Sequence, residues 1–106
     1  MKIENAQITG TFLGVEDHGC LTVFLHLKGD GWNVSWGGRN LGNATGFHNR
    51  GIEYIQKILD TVGVRSWEEL AGKYIRIENH GLGSSIEKIG NLLEDLWLDN
   101  EEFFSK

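Results

Sequence analysis

The chain has 106 residues, of which 15 are glycine and none is proline, with one cysteine and a formal net charge of −5. Its length fits a single domain, residues 1–106, with one modest core, and a pI near 5.3 argues against wrapping long nucleic acid, which needs a basic face. Cys20 alone makes neither an intramolecular disulfide nor a cysteine-based metal site.

In chain order, residues 3–15 read as a first strand, with Thr9, Thr11, Leu13 and Val15 on one face and Ile8 and Phe12 on the other. Glu16 to Gly19 (EDHG) is a turn. In CLTVFLHL, Leu21, Val23, Leu25 and Leu27 alternate against Thr22, Phe24 and His26, and two largely apolar faces predict a central strand. Asp30-Gly31 is a hairpin signal. WNVSW alternates again, with Trp32, Val34 and Trp36 on one face, so three antiparallel strands form a meander. From Gly37 to Asn49 no periodicity remains, which marks a long loop. GIEYIQKILDTVG carries Ile52, Ile55, Ile58, Leu59 and Val62 at helical spacing, with Asn49 placed to cap the start and Gly63 the end.

SWEELAG reads as a short second helix, Ser66 and Glu69 matching a capping box. KYIRIEN is a fourth strand with Ile75 and Ile77 inward, and IEKIGN a short fifth after the turn HGLGSS. The tail LLEDLWLDNEEFF suits a helix or a strand ending at Trp97, with Asp99 and Glu102 placed to cap a last helical turn carrying Phe103 and Phe104. The expected fold class is α+β: an antiparallel sheet of about five strands, one amphipathic helix and a short second one.

The candidate site is GDGWNVSWGGRNLGN, Gly29 to Asn43, extended to Thr45. Trp32 and Trp36 offer flat surfaces to a nucleobase, and such stacking contributes about 1–3 kcal/mol per base. Gly37 and Gly38 leave backbone N–H groups open to a phosphate, Arg39 brings a bidentate fork to the same group, and Asn40, Asn43 and Thr45 reach base or ribose edges. The competing reading is that Trp32 and Trp36, alternating with Val34, are core or interface residues. The two coexist if the aromatic face is buried at an oligomer seam that forms the pocket.

Other candidates are weaker. Glu16, Asp17 and His18 share a turn, but neither they nor His26, His48 and His80 have a metal-ligand spacing such as HxH or HExxH. Cys20 opens the most apolar strand, where a small thiol is ordinary. Gly81–Ser85 lacks the lysine of a phosphate loop. Tyr74 and Arg76 share a face that could line a pocket, but an outward Arg76 flanked by Glu78 better suits a cross-strand ion pair. No catalytic residue, metal or cofactor is assigned, and no enzyme is expected.

FLGVEDHGCLT, GIEYIQKILDTVGVRSWEELAGKYIRIE and IGNLLEDLWLD together resemble a group of small accessory proteins of tailed bacteriophages. The resemblance runs from about Ile8 to Phe104 and is most distinctive at Glu16–Gly19 and Val64–Glu78. It implies a phage or prophage origin and action in the host bacterial cytoplasm. That fits MKIENAQITG, which lacks the apolar run of a signal peptide, and the lack of any segment of membrane-spanning length. Phage proteins of this size include nuclease inhibitors and proteins that sequester cyclic nucleotide immune signals. The leading expectation is therefore a non-enzymatic anti-defence protein, a homo-oligomer that sequesters a small cyclic nucleotide. The alternatives are a protein–protein inhibitor of a host defence nuclease, acting through the acidic and aromatic tail, and a replication or recombination accessory protein.

Overall fold

The computed structural model describes residues 2–17, 19–41, 50–81 and 85–105, and only the backbone of 39 and 40. The fold is α+β. Strands β1 (Lys2–Val15), β2 (Leu21–Gly29) and β3 (Trp32–Asn40) form the meander, followed by helix α1 (Gly51–Val62), a 3-10 turn at Trp67–Glu69, β4 (Tyr74–Asn79), β5 (Lys88–Gly90), β6 (Trp97–Asp99) and helix α2 (Asn100–Phe104). All six strands lie in one antiparallel sheet, ordered β3-β2-β1-β4-β5-β6. β2 is flanked on both sides, as its apolar alternation predicts.

β1 serves two neighbours. Residues 2–7 pair with β4 and residues 7–15 with β2. The register shifts between Ile8 and Gly10, so Thr9 is an extra residue that reverses the alternation. This corrects the expected faces: Ile8, opposite Leu27, is fully buried, whereas Phe12, opposite Phe24, is 41% exposed on the other side of the sheet. Thr11 faces inward, where its hydroxyl accepts from the Trp67 indole N–H at 3.0 Å.

The sheet curls. β3 and β5 lie four places apart, about 19 Å in a flat sheet at ~4.8 Å per strand. Yet the Trp36 indole N–H donates to the carbonyl of Glu87, the residue before β5, at 3.1 Å. The same carbonyl accepts from the Asn100 N–H at 3.0 Å. Inside the curl lie Ile8, Val23, Leu25, Leu27, Trp36, Ile75, Ile77, Ile89 and Leu98, covered by Tyr54 and Ile58 of α1, Leu70, and Phe103 of α2. Alternation puts every second side chain here, which is why each strand reads apolar at period two.

Helix α1 ends as predicted, with Gly63 at φ 90° and its N–H on the Leu59 carbonyl at 2.8 Å. Its predicted cap, Asn49, lies outside the described residues. Arg50 takes the cap position without a side-chain cap bond. Instead its guanidinium pairs with Glu53 at 2.9 and 2.6 Å, lies 3.8 Å from the Phe103 ring centroid and donates to the Phe103 carbonyl. The tail resolves into β6 and α2, and Asp99 caps α2 by accepting from the Glu101 and Glu102 N–H groups. Among the described residues no helix is long and apolar enough to cross a membrane.

The predicted second helix is the single 3-10 turn. The Glu69 carboxylate accepts from the N–H groups of Arg65 (2.8 Å) and Ser66 (3.1 Å), and these two bonds, the first the stronger, hold its pKa below the ordinary value. A carboxylate with a depressed folded-state pKa stabilises above its unfolded-state pKa and loses that contribution as pH falls through the folded one. Glu69→Gln is therefore expected to lower the melting temperature at neutral pH by more than in acid, a difference read by thermal scans at the two pH values.

Candidate ligand site on the outer face of the sheet

The sheet face turned away from the core is polar along β4 and aromatic along β1 and β2. Outward positions on β2 are Thr22, Phe24, His26 and Lys28, paired across β1 with Gly14, Phe12, Gly10 and Gln7 and across β3 with Asn40, Gly37, Ser35 and Asn33. The Phe12 and Phe24 ring centroids are 6.1 Å apart, tilted by 50°, and Phe24 and His26 lie parallel within 9° at 6.4 Å. Two glycines let these rings lie on the backbone. A Cβ at Gly14 would come within 2.9 Å of the Phe12 ring, and one at Gly38 within 2.9 Å of the Phe24 ring.

Beside the rings, the β1–β2 turn adds an acidic rim. It is closed by the Glu16 N–H on the Cys20 carbonyl (2.9 Å) and the Gly19 N–H on the Glu16 carbonyl (2.8 Å), and Glu16 Oε1 accepts from the Cys20 N–H at 3.1 Å. Asp17 is exposed, with no ion-pair partner among the described residues. Rings and rim enclose an open cavity of about 690 Å³, lined by Phe12, Phe24, His26 and Gly38 along the strands and by Val15, Glu16, Asp17 and Thr22 toward the turn.

His26 Nδ1 lies 3.0 Å from Ser35 Oγ on β3, a contact with the form of a nucleophile and base. The described contacts give that ring no orienting carboxylate, and the same Ser35 and His26 are simple cross-strand neighbours. Among the described residues no cluster of three or more His, Cys, Asp or Glu side chains could hold a metal ion. Of the candidate triplet in the turn, Glu16 and Asp17 line the cavity, and His18 lies outside the described residues.

The predicted site on β3 divides. Trp36 is 1% exposed, its ring stacked on Tyr54 at 5.8 Å. Its place opposite inward-facing Leu25 puts it inside, so it offers no face to a ligand, and the expectation of a stacking wall there is corrected. Trp32 is half-buried across Gly29, where a Cβ would come within 2.1 Å of the indole, and its Nε1 is buried without a partner among the described residues. Gly37 and Gly38 are not a loop. β3 continues to Asn40 through a bulge, Phe24 pairing with Gly37 and Val23 with Arg39. Both glycines have positive φ, 107° and 76°, and a Cβ at Gly37 would sit 2.6 Å from the Val23 carbonyl oxygen.

By register Arg39 stands opposite Val23 and Asn40 opposite Thr22. Asn43 and Thr45 lie outside the described residues. Among the described residues, only Gly38 of the predicted set lines the cavity.

One other expectation resolves differently. Arg76 makes no cross-strand ion pair among the described residues. It donates to the carbonyls of Asn91 (2.7 Å) and Glu94 (2.8 Å) and covers the Trp97 ring, while Glu78 meets Lys88 at 3.1 Å. No family model, curated protein or solved structure matches the chain.

Proposed function

We propose that the chain is a non-enzymatic binding protein that sequesters a small nucleotide, the base resting on Phe12, Phe24 and His26. The observation that carries this is the open cavity of about 690 Å³ floored by aromatic rings, a volume within the range of small-molecule sites. Exposed aromatics on a sheet face are a recurrent way to hold bases, because every base has a π-face. Thr22, Glu16 and Asp17 bring oxygen acceptors to the N–H and O–H groups of base and ribose. The phosphates run away from that acidic rim, toward Gly38 and toward Asn40, which stands opposite outward-facing Thr22 by register. The stacking role expected of Trp32 and Trp36 thus passes to Phe12 and Phe24. The resemblance to bacteriophage accessory proteins supplies the setting, a cyclic nucleotide immune signal withheld from its receptor in a bacterial cytoplasm. Self-association belongs to the same reading.

Calorimetry with cyclic di- and trinucleotides tests it. Phe12→Ala and Phe24→Ala are each expected to weaken binding about tenfold or more, the equivalent of ~1.4 kcal/mol of lost stacking. Asn40→Asp, which brings a negative charge toward the phosphates, should weaken binding of the nucleotide but not of the parent nucleoside. If the unmodified chain binds none of these ligands, the reading falls and inhibition of a host defence protein takes its place.

A further inference from the structure

Charges at the two ends of the aromatic face point to its occupant. Along the outer side of β2 the order is Thr22, Phe24, His26, Lys28, with Glu16 and Asp17 in the turn beyond Thr22. One end of the strip is therefore acidic and the other basic, separated by about 20 Å over six residues at ~3.3 Å each. Lys28 and Asp17 are both exposed and have no ion-pair partner among the described residues. Asp30 stands in the turn past Gly29, beyond the strand ladder. Between the ends lie Phe12, 41% exposed, Phe24 and His26, and Val15 at the acidic end is 66% exposed.

We propose that this face packs against the same face of a second copy of the chain, about a two-fold axis lying in the interface across the strands. Such an axis reverses strand direction, so each acidic turn meets the partner's Lys28, twice per dimer. A two-fold axis along the strands would instead set Asp17 against Asp17, so the charges choose between the two arrangements. Stacked sheets lie about 10 Å apart, and the two Phe12–Phe24 pairs then close over one shared chamber. This rests on the nucleotide reading only for what fills that chamber. The dimer itself follows from the face.

Sedimentation equilibrium across micromolar concentrations, with circular dichroism to confirm folding, provides the test. The unmodified chain is expected to dimerise. Asp17→Lys and Lys28→Glu should each weaken the dimer about tenfold or more, since each places like charges together at two points. The double variant should regain most of the affinity, which a merely structural role would not restore. A monomer at all concentrations, or a double variant as weak as the singles, overturns the proposal. Nucleotide titration of the same samples keeps the readings apart. A dimer that binds no nucleotide leaves this inference standing without the nucleotide, whereas a monomer that binds nucleotide does the reverse.

Discussion

Trp36→Ala is expected to lower the free energy of unfolding by about 3–5 kcal/mol, the usual cost of removing a large buried aromatic. Against a total stability of roughly 5–15 kcal/mol for a small domain, that loss leaves the fold marginal, and denaturant titration reads it directly. Three contacts go at once. The ring leaves its stack on Tyr54, the inner face loses its largest side chain, and the Glu87 carbonyl loses the indole N–H that holds β3 near β5. Trp36→Phe separates these effects. It keeps a ring and removes the hydrogen bond, worth about 1 kcal/mol, with only part of the buried indole's packing. Trp32→Ala should cost less than Trp36→Ala, because Trp32 is half-buried and its N–H has no partner to lose among the described residues. If Trp36→Ala melted like the unmodified chain and lost only nucleotide binding, Trp36 would be a ligand wall after all.

The fold was legible where local chemistry decides it. Period two in CLTVFLHL and the Asp30-Gly31 turn specify β2 and its hairpin without help from distant residues. So do the 3.6-residue spacing of α1 and the glycine that ends it. What escaped depends on pairing partners. The Thr9 bulge has no signature in QITGTFLGV, since Thr9 is unexceptional there. Without the bulge, Phe12 is put on the face of Ile8 and the aromatic cavity vanishes. Likewise Gly37-Gly38 has the composition of a loop. Only the Val23 carbonyl opposite, 2.6 Å from where a Cβ would stand, shows that the pair is a bulge within a continuing strand. A signal for the cavity was present all the same. Gly14 lies two residues from Phe12, and in a strand an i, i+2 pair of glycine and aromatic lets the ring fold over the backbone.

Ending the chain at Leu98 is expected to abolish cooperative thermal unfolding, a larger effect than that of any single substitution. The eight residues removed are mostly polar and acidic, with Phe103 and Phe104 their two apolar side chains. The structure ties them to the centre of the molecule. Phe103 is 6% exposed and Asn100 only 2%, and Asn100 accepts the Tyr54 hydroxyl at 2.6 Å while its own N–H binds the Glu87 carbonyl. Tyr54 is in turn in contact with Trp36, Phe103 and Phe104, at ring separations of 5.8, 5.3 and 4.8 Å. Truncation therefore strips one side of the aromatic cluster that seals the curled sheet, leaves the Tyr54 hydroxyl without Asn100 and frees Arg50 from the Phe103 carbonyl. Two point variants grade the effect. Phe103→Ala removes packing and the ring beneath the Arg50 guanidinium but keeps the backbone contacts, about 3–5 kcal/mol. Asn100→Ala leaves the Tyr54 hydroxyl short of its acceptor for about 1–3 kcal/mol. Circular dichroism melts of all three should therefore rank truncation below Phe103→Ala, and Phe103→Ala below Asn100→Ala. A tail acting as a loose arm for a partner protein predicts the opposite: unchanged melting for the truncated chain with loss of inhibition. An acidic terminus is held here because its aromatic residues point inward while Glu101 and Glu102 stay in water, the amphipathic division that lets a five-residue helix complete a core.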